Sequence, residues 1–274
     1  MTPPVRHAVA WDTATGRLSL ALARFGAGSA GIPAPPGPPE ILFAAGGGDG
    51  GTHSSVLPPL AARALSEAGL RPSDLDLVCA GRGPGSFTGL RTGLSFAKGL
   101  AMGAGCPAVG IPTLETLAAA DGLPPGLLAP VLDARHGEVF TALYLRGGEG
   151  AHPAAGPLPL TGILVLAPGS FYPALADALR GLREGLGAPP DGACLILGPG
   201  AALVPEPPEG FRKGPADGPD AAVLASLGLA RLLSGAAAAD PPLPLYGRTP
   251  EIFKTWRPPR RLPAREALEG PRGA

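Results

Sequence analysis

Apolar residues open the chain in two short runs. Val5–Trp11 and Leu18–Phe25 flank the polar stretch Asp12-Thr13-Ala14-Thr15-Gly16, and two such runs joined by a polar turn predict a β-hairpin. A Gly/Pro loop (26–39) follows, then a third short run, Ile41–Ala45. From His53 the period changes: Val56, Leu57, Leu60, Ala61, Ala64, Leu65 and Ala68 fall on one helical face. Gly69 and Pro72 stand where a helix stops. Leu75–Ala80 reads as a compact buried strand, Gly81–Arg91 as a glycine-rich turn leading into a second helix that ends near Ala104, and Ala108–Ile111 as another strand. The first ~110 residues therefore spell β-β-β-α-β-α-β, a mixed sheet with helical crossovers.

The second half reads as a worn copy. Leu127–Leu132 and Val139–Leu145 pair around Asp133-Ala-Arg135-His136-Gly137-Glu138, and Gly162–Leu166 is a third run. A helix over about Phe171–Leu182, a strand at Cys194–Leu197 and a helix over about Ala221–Leu233 follow, then Leu243–Arg248 and a tail. The expected organisation is α/β with two tandem lobes, 1–110 and 111–274, the tail being free to pack back on the first lobe.

Composition changes one part of this picture. Glycine (43) and proline (37) are abundant enough to suggest low complexity, yet 45% of the chain is hydrophobic and the mean hydropathy is +0.21. Half of these breakers sit in 26–51, 147–169 and 185–220, so the reading is a globular protein with inflated loops. The 22 basic and 22 acidic residues cancel, which argues against a nucleic-acid binder acting by net charge alone. The exception is a tail holding Lys254, Arg257, Arg260, Arg261, Arg265 and Arg272, which solvated disorder would explain as well as binding. Cys79, Cys106 and Cys194 lack CxxC spacing and lie among apolar residues, so we expect buried free thiols and a reducing, cytoplasmic setting. No signal-like core opens the chain and no apolar run approaches a membrane span.

The strongest local signal is Gly81-Arg-Gly-Pro-Gly-Ser-Phe-Thr-Gly-Leu-Arg91. A glycine turn before a helix could cradle an anion on exposed N–H groups, but it matches neither a P-loop, a dinucleotide turn nor a nucleophile elbow. Equally, its glycines could serve close packing, with Ser86 or Thr88 capping the helix. Asp12, Thr13 and Thr15 could hold Mg²⁺ and phosphate, although a plain polar turn is the commoner use of such residues. The four histidines (His7, His53, His136, His152) are too scattered for metal-binding pairs. Asp133–Glu138 could be an acid/base cluster, a charged hairpin turn being the commoner explanation.

Taken together, Ala10-Trp-Asp-Thr-Ala-Thr15, His53, the 81–91 stretch, Ala97-Lys-Gly-Leu-Ala101, Val131–Glu138 and Pro244–Arg248 resemble the TsaB (YeaZ) family, collinearly along essentially the whole chain. The resemblance implies an actin/Hsp70/sugar-kinase-like (RNase H-like) fold of two related lobes. It implies a role in N6-threonylcarbamoylation of the adenosine 3′ to the anticodon of ANN-decoding tRNAs, as a non-catalytic partner of a TsaD-like catalytic subunit. A TsaE-like ATPase would act in the same pathway, with TsaC or its relatives making the threonylcarbamoyl-adenylate. Contact with tRNA would be indirect, and a homodimer could form in isolation.

TsaD-like relatives carry an HxxxH pair after the strand that follows the glycine-rich helix. Here that place reads Ile111-Pro-Thr-Leu-Glu-Thr-Leu-Ala118, leaving Glu115 as a lone hard ligand, so no metal is expected. By position, the partner-binding helices implied are about 54–68 and 87–104. The expected site is then Arg82, Ser86, Thr88 and Arg91 as interface or anion-binding residues, with Leu90, Leu94, Ala97 and Ala101 on the interface helix. Asp12, Thr13 and Thr15 would be a vestigial phosphate turn, no cofactor is expected, and a nucleotide could bind only between partners. The alternative is an ATP-dependent phosphotransferase of the same fold using Asp12 and Thr13.

Overall fold

The computed structural model describes residues 7–26, 38–47, 53–147, 156–186, 193–235 and 242–247. The expected hairpin forms as β1 (His7–Asp12) and β2 (Leu18–Arg24), and β3 (Glu40–Gly47) extends it. Helix α1 (His53–Glu67), strand β4 (Leu77–Gly81), helix α2 (Phe87–Ala104) and strand β5 (Ala108–Ile111) complete the first unit. Its sheet runs β3-β2-β1-β4-β5, antiparallel across the first three strands and parallel across the last three.

After helix α3 (Thr113–Ala118) come β6 (Gly126–Arg135), β7 (Glu138–Thr141), β8 (Tyr144–Arg146), β9 (Leu158–Pro159) and β10 (Leu164–Leu166). Helix α4 (Phe171–Leu186), β11 (Cys194–Leu197), β12 (Phe211–Lys213) and α5 (Ala221–Leu233) follow. The second sheet runs β10-β7-β6-β11-β12 with the same alternation of antiparallel and parallel pairs. The repeat inferred from element order is thus a repeat of strand order and direction. The run expected as one strand over Val139–Leu145 is two. Its backbone leaves β6 at Leu143, whose N–H donates to Thr161 Oγ1 (3.0 Å) and whose carbonyl accepts from Leu160 (2.8 Å).

Period-two alternation decides what covers each face of the first sheet. Val9, Trp11, Leu18, Leu20, Leu22, Val78 and Ala80 point to one side and bury Leu57, Ala61, Ala64 and Leu65 of α1 together with Leu94, Ala97 and Ala101 of α2. The other side carries mostly small residues, Ala8, Ala10, Ala21, Ala23 and Cys79, beside Leu77. Helix α5, expected as part of the second unit, packs there, its Gly228 against Cys79. On the second sheet, Leu114, Leu117 and Ala118 of α3 pack against Leu128, Leu132 and Ala134 of β6. Helix α5 of the second unit thus covers the first sheet, and α3 covers the second, because a sheet must be buried on both faces to remove all its apolar surface from water.

Cys79, Cys106 and Cys194 are free thiols; burial pushes Cys194 up to about 12 and raises Cys79 and Cys106. Among the described residues, no helix is long and apolar enough to cross a membrane. The Arg-rich tail beyond Gly247, residues 27–37 of the expected 26–39 loop, and His152 lie outside the described residues.

Candidate functional site

The 12–15 turn, the glycine stretch and the start of α3 meet at the ends of β1, β4 and β5. Asp12 and Thr13 are fully buried, so this is not a plain surface turn. Asp12 Oδ1 accepts from the Ala14 N–H and Oδ2 from the Thr113 hydroxyl, both at 2.7 Å. Burial outweighs these two bonds and pushes the carboxyl from 3.8 up to about 6. The Thr13 hydroxyl donates to the Gly89 carbonyl (2.8 Å), and the Trp11 indole donates to the Gly93 carbonyl (3.2 Å). Thr15 closes the hairpin instead, bonding with Arg17 through its own hydroxyl. All three side chains offered as a phosphate turn are therefore engaged within the chain.

The glycine stretch is shaped by the same turn. Ser86 caps α2 by accepting from the Gly89 N–H (3.2 Å), and its own N–H donates to Ala14 O (2.7 Å). A methyl group at Gly85 would overlap Ala14 and one at Gly81 the Asp12 carboxylate; at Gly89 and Gly93 it would overlap Thr13. Thus the packing reading accounts for Gly81, Gly85, Gly89 and Gly93: the volume an anion would need beside them holds residues 12–14. The Thr113 N–H donates to Gly83 O (2.8 Å), locking α3 onto the same loop.

The polar set Arg82, Ser86, Thr88 and Arg91 does not converge. Ser86 is the helix cap, Arg82 lies near enough to Glu115 to lower its carboxyl, and Thr88 and Arg91 are exposed on α2. Leu90, Leu94, Ala97 and Ala101 correct the expected interface: they are 0–4% exposed and belong to the lobe's own interior. A 3.6-residue period places them on one face without saying which neighbour claims it. The outer face of α2 instead carries Phe87 (43% exposed), Thr88, Arg91, Ser95, Lys98 and Met102 (81% exposed). On α1 the surface positions include Val56, Pro59 and Ala62.

A second polar centre was not foreseen from sequence. Buried Glu115 of α3 pairs with Arg231 of α5 at 2.5 Å. Burial raises its carboxyl while Arg231 and Arg82 pull it back. Arg146 of β8 donates to the carbonyls of Ala118 (3.2 Å) and Ala120 (2.8 Å), satisfying the C-terminal end of α3. Breaking a fully buried pair costs roughly 3–5 kcal/mol. Because the Arg231 side chain remains 35% exposed, Arg231→Ala should cost about 2 kcal/mol, after discounting that range for solvent screening. Urea denaturation reads this, and an unchanged midpoint would remove the pair from the stabilising contacts. No sequence period links positions 116 residues apart.

Asp133–Glu138 forms an exposed hairpin tip. Arg135, His136 and Gly137 adopt left-handed φ of 62°, 54° and 74°, and Asp133 Oδ1 accepts from the Arg135 N–H (2.6 Å). Among the described residues, no three His, Cys, Asp or Glu side chains gather as a metal site would need.

The family model for TsaD, tRNA N6-adenosine threonylcarbamoyltransferase, matches residues 50–159. The TsaB protein of Bacillus subtilis, named for tRNA threonylcarbamoyladenosine biosynthesis, is 40% identical over 92 residues, 34% of this chain and 40% of that protein. TsaB of Escherichia coli is 39% identical over 100 residues, covering 36% and 43% of the two chains. YeaZ from Pseudomonas aeruginosa superposes with a TM-score of 0.61 over 88% of this chain and 99% of its own, at 24% identity. Over these stretches the chain is similar to the TsaB proteins, and over most of its length it shares the fold of YeaZ.

A tRNA N6-adenosine threonylcarbamoyltransferase from Thermus thermophilus is 47% identical over 96 residues, 34% of this chain and 30% of that enzyme. The matched stretches span about two fifths of the curated TsaB relatives' length and less than a third of the transferase's. The expected actin-like, RNase H-like architecture holds, with two mixed sheets of matching strand order.

Proposed function

We propose that this chain is a TsaB/YeaZ-like, non-catalytic partner of a TsaD-like transferase in tRNA N6-threonylcarbamoylation. The observation carrying this reading is the filled turn: Asp12, Thr13 and Thr15 are all bonded within the chain, and residues 12–14 occupy the space beside the α2 glycines. What the chain leaves to a partner is the outer surface of α1 and α2, where Met102 and Phe87 stand exposed. A TsaE-like ATPase would join the same assembly in the cytoplasm, tRNA would be met through the complex, and the helix surface could also pair two copies of the chain.

The test is co-purification with the cognate TsaD-like protein and a reconstituted tRNA modification reaction with and without this chain. Modification should fall to background without it; no complex and no dependence would sink the reading. Met102→Glu should abolish the complex while leaving stability within about 0.5 kcal/mol, as surface substitutions usually do. If the complex survives, the partner uses another face. The rival, an ATP-dependent phosphotransferase using Asp12 and Thr13, requires ATP turnover by the purified chain that Asp12→Ala removes.

A further inference from the structure

The second half of the chain returns to the first lobe through residues 242–247, Pro-Leu-Pro-Leu-Tyr-Gly. Prolines at 242 and 244 fix their own φ angles and favour an extended backbone at Leu243 between them, so this segment is a stiff strap. Its first part lies on the first lobe. The Leu245 N–H donates to the Arg82 carbonyl (2.6 Å), a methyl group at Gly83 would crowd the Leu245 carbonyl, and one at Gly110 of β5 would meet Pro242. Tyr246 reaches the first turn of α2. Its ring lies 5.1 Å from that of Phe87, its hydroxyl accepts from Arg91 Nε (3.4 Å), and the Arg91 guanidinium covers the Phe87 ring at 4.0 Å. One residue later the strap is on the second lobe. A methyl group at Gly247 would overlap the Phe140 ring of β7 and meet Ile163 beside β10, two residues of the core cluster between the second sheet and α3.

Adjacent residues of one stiff segment thus rest on different lobes. Large apolar side chains do not explain the anchoring, because Leu243 and Tyr246 remain 48% and 38% exposed. The strap is held by backbone fit over Gly83 and Gly110 and at its own Gly247, and a fit of that kind allows little slack. The lobes are tied a second time by the Glu115–Arg231 pair, between α3 on the second sheet and α5 on the first. Arg82 belongs to both ties: its carbonyl holds Leu245, and its side chain lies near enough to Glu115 to lower that carboxyl.

We propose that residues 242–247 are an interlobe clasp, coupling the first turn of α2 to the β7–β10 side of the second lobe. A molecule that draws Phe87 or Arg91 away from Tyr246 also loosens the strap at Gly247, and the reverse holds equally. The clasp is a property of the chain itself; only its use by a TsaD-like partner on the α2 surface rests on the reading above.

Hydrogen exchange of the full chain, followed by mass spectrometry, tests the clasp from both ends. Phe87→Ala removes the ring partner of Tyr246 at an exposed position, and Gly247→Val drives a larger side chain into Phe140. Phe87→Ala should speed exchange about fivefold or more at 139–141 and 163–166 in the other lobe, and Gly247→Val should do the same at 86–91. The double variant should exchange no faster than the faster single one, because either change opens the same clasp. Gly99→Ala, on the open side of α2, should leave the second lobe unchanged. Circular dichroism checks that each variant folds; if Gly247→Val does not, Phe87→Ala decides alone. Effects confined to each variant's own lobe overturn the clasp, as do effects that add in the double variant. Adding the TsaD-like protein should alter exchange at 139–141 and 163–166. A complex without that change overturns the partner's use of the clasp. If no complex forms, the partner reading fails, while the single-chain results still decide the clasp.

Discussion

Gly89→Ala should destabilise the protein by about 3 kcal/mol, the upper part of the range for forced overpacking. The sign is what makes the result diagnostic. Inside a helix, alanine is normally favoured over glycine by about 1 kcal/mol, because glycine loses more backbone freedom. At Gly89 that gain is overridden, since the new methyl group would overlap the Thr13 carbonyl oxygen and lie 3.0 Å from His53 Nδ1. The obstacle is backbone, so it cannot rotate away; either α2 lifts off the 12–15 turn or the turn gives up the Thr13–Gly89 bond. Gly99 is the control within the same helix. Nothing lies within 4 Å of a methyl group there, so Gly99→Ala should stabilise by up to about 1 kcal/mol. Urea unfolding of both variants checks this. Equal midpoints would mean that α2 does not rest on the 12–15 turn.

Asp12→Asn should stabilise the protein at neutral pH and flatten its pH dependence between about 4 and 6. In the folded chain the carboxyl sits near 6, against 3.8 for an unperturbed one, because burial disfavours the charge. Between those two values the folded state holds a proton that the unfolded state has released, so raising the pH favours unfolding. The stability linked to this group is therefore fully present below 3.8 and is lost as the pH rises through about 6. The loss amounts to about 3 kcal/mol for a carboxyl moved that far. Asparagine keeps the acceptor for the Ala14 N–H and can donate to the Thr113 oxygen, so both bonding positions remain filled. The difference in unfolding free energy between Asp12→Asn and the parent should grow from pH 4 to pH 7 and then level off. A constant difference would place the Asp12 carboxyl in contact with solvent.

The elements themselves were readable because their cues are local. The hairpin follows from two apolar runs around Asp12–Gly16, α1 from its 3.6-residue period, and the α2 start from the glycine-rich turn, with Ser86 and Thr88 both open as its cap. The missed elements lacked such cues. β12 lies in a Gly/Pro-rich stretch, and α3 spans only six residues whose side chains are all buried, so it shows no polar face. The site was less readable. Asp12 and Thr13 look like a surface turn in sequence because their partners lie far along the chain: Gly89 is 76 positions from Thr13 and Thr113 is 101 from Asp12. The Glu115–Arg231 pair and the Tyr246–Arg91 contact span still longer separations.

Sequence alone determined the α/β class, the tandem order of the two units and the family resemblance. These rest on periodicities and short motifs that neighbouring residues satisfy among themselves. Only the tertiary structure decided which neighbour each face meets: α5 covers the first sheet, and α3 the second. It also divided the glycines of α2. Gly89 and Gly93 face inward and admit the Thr13 turn, while Gly99 and Gly103 face open space. A helical period fixes the angle between side chains but not the direction of the core, and that direction decides whether a glycine serves the fold or the surface.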